Sequence, residues 1–309
     1  MGKTVFIFPG QGSQFPGMGR ELYTSFSQVR DLYDRASELS GLDLKKLSFE
    51  GPREDLDKDI EAQLSVYVCN EAWRLWLLED GFAPEAVTGY SLGFYSALVA
   101  SGAVSFEDGL KLVMAAGAHA LRQNEKTPGT MAAVIGLSEA ELDAVCKEAA
   151  EGFAEEFDGV WISNVNAARQ ILVSGLAGAV SEAVRISLSK GALHAYVIPM
   201  GAAYHSPLME DASRAFRADV RGINFLSPRI PLLSYIDAEF IDSPAKIADV
   251  LGMHLHKKVP WKDSVQKLTG EGYDNFIEAG PGSALTRMVK WINRTVEATP
   301  AQDILLARV

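Results

Sequence analysis

The sequence predicts an α/β protein in which a small subdomain is let into a larger one, and three stretches predict it. Thr4–Phe8 is an apolar strand that ends on Pro9-Gly10 and leads through a turn-rich loop to a helix from about Glu21. Val87-Thr88-Gly89 is a second short strand that turns sharply at Tyr90-Ser91-Leu92-Gly93 into an apolar helix reaching about Ser101-Gly102. From Met131 to Pro199 the pattern reads strand, helix, strand, strand, helix, strand, the βαββαβ order of a ferredoxin-like unit.

Each element has a local reason. Residues 22–80 read as mostly helical, with an amphipathic helix opening at Ala62-Gln63-Leu64 and running through Trp73, Leu75 and Leu78 to a stop at Gly81-Phe82-Ala83-Pro84. A helix from Phe106 to about Arg122 precedes a break at Glu125–Gly129. In the βαββαβ stretch, Met131–Leu137 is the first strand. Ser138 is the N-cap of a helix to Glu151, with Glu141 at the capping-box position. Strands at 161–165 and 170–174, a helix over 179–190 and a strand at 195–199 follow.

The segment Gly89-Tyr90-Ser91-Leu92-Gly93 carries the chemistry. A Gly-x-Ser-x-Gly turn between strand and helix exposes its serine on a strained elbow at a helix amino end, where free N–H groups favour developing negative charge. Ser91 is therefore the candidate nucleophile, and the glycines let chain segments approach closely. The chain has five histidines. His119 lies within a helix, His194 starts a strand, and His254 and His256 are expected in a short helix near the end. His205 follows a strand and a glycine-containing turn, from which a side chain projects into a cleft, so it is the candidate base. No aspartate or glutamate stands out as a third member.

Composition narrows the classes. With 309 residues and 48% hydrophobic residues the chain can bury a large core. No apolar run approaches the roughly 20 residues of a membrane span, and the apolar stretch at the amino terminus is too short for a secretory signal, so a cytoplasmic protein is expected. A net charge of −11 argues against a nucleic-acid partner. The two cysteines, Cys69 and Cys146, have no metal-ligand spacing and read as buried thiols; no metal site, nucleotide fingerprint or redox pair is visible.

Phe8-Pro9-Gly10-Gln11-Gly12-Ser13-Gln14, Ala62-Gln63, Gly89–Gly93, Asn164-Val165-Asn166 with Ser174-Gly175, Tyr204–Met209, Val259-Pro260-Trp261 and Glu278–Gly282 occur in one order along the whole chain. In that order and spacing the sequence resembles the malonyl-CoA:acyl carrier protein transacylases. The resemblance implies an α/β-hydrolase-like large subdomain with a parallel sheet (1–127 and 199–309) and an inserted ferredoxin-like small subdomain (128–198), with the site in the cleft between them. It implies an acyltransferase: Ser91 attacks an acyl-CoA thioester, His205 takes its proton, and the phosphopantetheine thiol of an acyl carrier protein accepts the acyl group. It further implies an oxyanion hole from the backbone N–H groups of Gln11 and Leu92. By the same resemblance Gln63, Tyr90, Ala116, Asn166 and Tyr204 are expected around the substrate. The resemblance also implies that a main-chain carbonyl near His254 orients the base, which would account for the missing acid. No bound cofactor is implied.

Three positions depart from the family pattern. Tyr90 stands where histidine is usual and Phe94 where an acidic or small residue is usual. Ala116 stands where the resemblance implies an arginine that grips the malonyl carboxylate as a bidentate pair. A buried carboxylate without its cation costs several kcal/mol, so the expected acyl group is neutral rather than malonyl. His119 shares the helix face of Ala116 as a weak substitute, and Arg122 does not. Loss of the arginine also fits an acyl hydrolase that uses the same Ser–His pair with water as acceptor. Carrier proteins are acidic, so a basic docking patch is expected among Arg185, Lys190, Lys257, Lys258, Arg287, Lys290 and Arg294.

Overall fold

The computed structural model describes residues 2–151 and 159–308. Among these, ten strands follow in chain order: β1 (Lys3–Phe8), β2 (Ala86–Gly89), β3 (Gly129–Ile135), β4 (Val160–Ala167), β5 (Gln170–Leu176), β6 (His194–Ile198), β7 (Leu232–Leu233), β8 (Phe240–Ile241), β9 (Tyr273–Glu278) and β10 (Glu297–Pro300). Six of them form one sheet in the order β10-β9-β1-β2-β7-β8. Its pairs are parallel except for β7 with β8. β1 lies inside the sheet with Val5, Phe6, Ile7 and Phe8 fully buried, and a strand covered on both faces needs the unbroken apolar run that these residues supply.

This parallel pairing sets the place of the site. Phe8 is opposite Gly89, so the loop after β1 and the elbow after β2 leave the same edge of the sheet side by side. In parallel α/β sheets that carboxyl edge is where ligands bind. The loop after β1 is held from below by Asn70, whose Nδ2 donates to the Pro9 carbonyl at 3.0 Å. The motif 278–282 has a structural role. The Glu278 carboxylate accepts from the N–H groups of Leu285 (3.1 Å) and Thr286 (2.7 Å) and so caps the helix Ala284–Ile292.

The remaining strands form an antiparallel sheet in the order β4-β5-β3-β6, the ferredoxin-like arrangement that the βαββαβ pattern predicts. Its core is separate from that of the large sheet. Ala132, Val134, Ile171 and Val173 face the helices Glu139–Glu151 and Ala177–Ser189, while the alternate positions Met131, Leu172 and Ile198 turn to the large core. A register irregularity between Ile162 and Asn164 moves the apolar positions of β4 from 160 and 162 to 165, which turns Asn164 and Asn166 to the other face. The capping box forms: Ser138 Oγ and N both donate to Glu141 Oε2 at 2.7 Å.

Two expectations need correction. The helix after the elbow region is Phe106–Lys126, longer than the expected end at Arg122, because Glu125 and Lys126 are good helix formers and only Pro128-Gly129 compels a stop. His254 and His256 are not helical. The helix Pro244–Leu251 ends before Gly252, and the chain then runs in successive turns, with His254 N–H donating to Leu251 O at 3.1 Å and His256 N–H to Met253 O at 3.2 Å. Cys69 and Cys146 are free and buried, and burial pushes the Cys146 thiol up to about 12.

Candidate active site

Ser91 and His205 both hold backbone conformations that L-residues seldom adopt, with φ of 51° and 60°. Such strain persists only where surrounding packing over-determines it, and it concentrates at functional sites. At the elbow the packing is explicit. A Cβ added to Gly89 would lie 2.1 Å from the Gly93 carbonyl carbon, and one added to Gly93 would lie 2.0 Å from the Phe8 carbonyl oxygen. Only glycine allows β1, the turn and the helix Gly93–Ala100 to close on one another.

That closure presents Ser91 Oγ 2.7 Å from His205 Nε2. On the far side of the ring, Nδ1 lies 2.9 Å from the Lys257 carbonyl oxygen. A carbonyl only accepts, so Nδ1 carries the proton and Nε2 presents its lone pair to the serine hydroxyl. The backbone is held as well, His205 N–H donating to Leu255 O at 2.7 Å. The carbonyl that orients the base is thus Lys257, not His254 as the resemblance suggested. The turns after Gly252 carry the main chain past the imidazole, while the His254 side chain has other partners, with Nδ1 2.6 Å from the Tyr235 hydroxyl and its ring 4.7 Å from that of Tyr95. Burial lowers the His205 pKa to about 4, partly opposed by the Lys257 carbonyl. Burial also lowers His254, to about 3.

Gln11 and Leu92 stand on either side of the elbow. Gly10 packs so closely that a Cβ there would lie 2.5 Å from the Tyr90 carbonyl oxygen and 3.6 Å from Leu92 N. Neither the Gln11 nor the Leu92 N–H donates to a partner among the described residues. Tyr90 ties the elbow to the small sheet: its hydroxyl donates to Asn166 Oδ1 at 2.8 Å and accepts from Asn164 Nδ2 at 2.8 Å. Val259 joins the same strand to the base-holding turn through Val259 N–H to Ser163 O at 2.8 Å and Val165 N–H to Val259 O at 2.9 Å.

These residues enclose a cavity of about 90 Å³. Gln11, Gln63, Tyr90, Ser91, Leu92, Ala116, Tyr204, His205 and His254 line it, with Met131, Leu172 and Ile198 from the small sheet. Asn166 does not line the cavity but holds Tyr90 from behind. The lining contains no lysine or arginine. His119 is elsewhere, paired through Nε2 with Asp219 at 2.7 Å, so it does not substitute for a cation at Ala116. One residue with no motif to mark it in the sequence is central. Asp59, in the first turn of the helix Asp59–Glu79, accepts from Gln11 Nε2 at 2.6 Å and from the Tyr204 hydroxyl at 2.5 Å. Its one sequence signal is a carboxylate four positions before Gln63, on the same helix face.

Residues 5–307 match the family described as acyl transferase domain. The chain belongs to this family. Among its acyl transferase relatives, a malonyl CoA-acyl carrier protein transacylase of Bacillus subtilis is 35% identical over 98% of this chain and 94% of its own length. A solved malonyl CoA-acyl carrier protein transacylase from Coxiella burnetii superposes with a TM-score of 0.91 at 33% identity, covering 99% of this chain and 96% of that one. A malonyl-transacylase solved in complex with its type II PKS acyl-carrier protein gives a TM-score of 0.91 at 32% identity, over 99% of this chain and all of that one. The acyl transferase chain is accordingly an enzyme with the family's α/β fold and its separate small antiparallel sheet. No described helix is long and apolar enough to cross a membrane.

Proposed function

We propose that this acyltransferase moves an acyl group from a CoA thioester through a Ser91 ester to the phosphopantetheine thiol of an acyl carrier protein, and that its preferred acyl group is neutral rather than malonyl. The observation that carries the reading is the Ser91–His205 pair at 2.7 Å, opening on a lining without lysine or arginine. In the first half-reaction the serine hydroxyl gives its proton to Nε2 as Oγ bonds to the thioester carbon. The C–S bond then breaks and CoA leaves as a thiol with that proton. The carrier thiol reverses these steps on the ester. Negative charge on the carbonyl oxygen falls to the free N–H groups of Gln11 and Leu92. The Lys257 carbonyl keeps the imidazole in the tautomer that accepts from serine.

The carrier protein as acceptor is supported by the activities for which the relatives are named and by the transacylase solved with its carrier. CoA and phosphopantetheine enter as substrates, and no resident cofactor is invoked. The neutral acyl preference rests on Ala116, which lies in the lining 2% exposed where the resemblance implies arginine. The division into a large subdomain (1–127 and 199–309) and a small one (128–198) is supported by the two separate apolar cores.

Intact-mass spectrometry after brief incubation with malonyl-CoA, acetyl-CoA and a medium-chain acyl-CoA, beside a Ser91→Ala control, tests the reading. A neutral acyl adduct that needs Ser91 and passes to added holo-carrier protein is expected. A persistent malonyl adduct would overturn the preference, and an adduct that decays in buffer at the same rate without carrier would make the enzyme a hydrolase.

A further inference from the structure

Behind the cavity wall lies a closed ring of hydrogen bonds whose direction is set by one residue. Asp59 Oδ1 accepts from Gln11 Nε2 at 2.6 Å and from Gly201 N–H at 3.3 Å, and Oδ2 accepts from the Tyr204 hydroxyl at 2.5 Å. Gln63 closes the ring, its Nε2 donating to Gln11 Oε1 at 3.1 Å and to the Tyr204 oxygen at 2.9 Å. Three donors and no acceptor face the Asp59 side chain, the surroundings of an ionised carboxylate, which can only accept. Every other orientation follows. Gln11 must turn its amide nitrogen to Asp59 and its oxygen to Gln63. Tyr204 must spend its proton on Asp59 and accept from Gln63.

The carboxylate is 8% exposed and is not paired with a cation among the described residues; the adjacent Lys58 pairs with Asp55 at 2.6 Å instead. The charge is therefore held by the wall's own dipoles, whose donor ends are spent on Asp59, and Asp59 itself is not among the residues that line the cavity. What the wall turns toward the helix of Ala116 is an acceptor: a Cβ added to the neighbouring Gly117 would lie 3.1 Å from Gln63 Oε1.

We infer that Asp59 is a specificity-determining residue, whose buried negative charge and the donor orientation it imposes reject carboxylated acyl groups from the cavity. An acyl carboxylate beside Ala116 meets the Gln63 acceptor oxygen, with a like charge two hydrogen bonds behind it through Gln11 or Tyr204, and no lysine or arginine in the lining offsets either. This is independent of the missing arginine: placing a cation at 116 would leave the anionic wall in position. Neutral acyl groups do not sense the charge, and for them the ring only holds Gln11, whose main chain flanks the elbow. The inference rests on the acyl-enzyme reading above.

The test measures initial CoA release from malonyl-CoA and from acetyl-CoA by a thiol reagent, for the wild type and for Asp59→Asn. Asparagine can both donate and accept, so the ring loses its imposed direction along with the charge. The ratio of kcat/KM for malonyl-CoA to that for acetyl-CoA is expected to rise on the order of tenfold. An unchanged ratio overturns the inference, including the case in which both rates fall in parallel and the melting temperature drops, since that is what a merely structural carboxylate would give. Should Asp59→Asn fail to fold, Asp59→Ser removes the same charge and is read the same way. A Ser91→Ala control separates the two readings: CoA release that survives it sinks the acyl-enzyme mechanism, whereas Ser91-dependent release with a fixed ratio sinks only the role of Asp59.

Discussion

Lowering the pH is the most direct perturbation of the Ser91–His205 pair, and the structure fixes its sign. Burial disfavours the imidazolium and takes His205 from an ordinary value near 6.5 to about 4, with the Lys257 carbonyl pulling weakly the other way. A base acts only when neutral, so acylation is lost as the pH falls through the folded value and not before. At pH 5.5 an ordinary histidine is about nine-tenths protonated, whereas one with a pKa of 4 is protonated to only about 3%. First-turnover release of CoA at constant ionic strength should therefore stay nearly flat from pH 8 to pH 5. A rate that halves near pH 6.5 would refute the buried, neutral base.

The same shift has a stability consequence of definite sign. His205 and His254 both have folded values below the unfolded one, so the unfolded chain binds more protons in the interval between. Stability is fully present above about pH 6.5 and declines as the pH falls toward 4 and then 3. For His205 the total is on the order of 3 kcal/mol. The activity and unfolding profiles should thus be displaced from each other, stability beginning to fall while the base is still neutral.

Two further outcomes follow from the contacts around the pair. Tyr90→Phe removes the hydroxyl shared by Asn164 and Asn166, leaving both buried amides short of a partner; denaturant unfolding should show a loss of about 1–3 kcal/mol, and a loss within a few tenths would mean that this link between elbow and small sheet is dispensable. Arg287→Glu with Arg294→Glu should slow transfer to a carrier protein at low salt, converge with the wild type at high salt, and leave CoA release unchanged. Arg294 borders a surface hollow with Arg169 and the half-exposed Trp291, whereas Lys258, Lys190 and Arg185 are already paired with Glu139, Glu148 and Glu182. Salt-independent rates in the double variant would remove this patch from the docking surface.

What the sequence determined by itself is what a short run of residues can encode. The βαββαβ order, the Ser138–Glu141 capping box and the strand–turn–helix at Ser91 depend on periodicity, caps and glycines within a few neighbours of each other. The glycines at 89 and 93 were legible because the elbow demands them locally. The resemblance then joined distant motifs in the right order, Ser91 and His205 among them, but it pointed to His254 for a carbonyl that belongs to Lys257.

Tertiary structure alone decided which groups meet. Ser91 and His205 are 114 positions apart, and Tyr204 reaches Asp59 across 145. Parallel pairing of β1 with β2 brings the Gln11 loop to the elbow, and the β4 register shift turns Asn164 and Asn166 toward Tyr90. Asp59 is an ordinary acid in the first turn of a helix when read locally. Its burial, its three donors and the direction it gives to Gln11, Gln63 and Tyr204 arise only when three separate segments close around it, because hydrogen-bond direction is a property of the completed network and of no single residue in it.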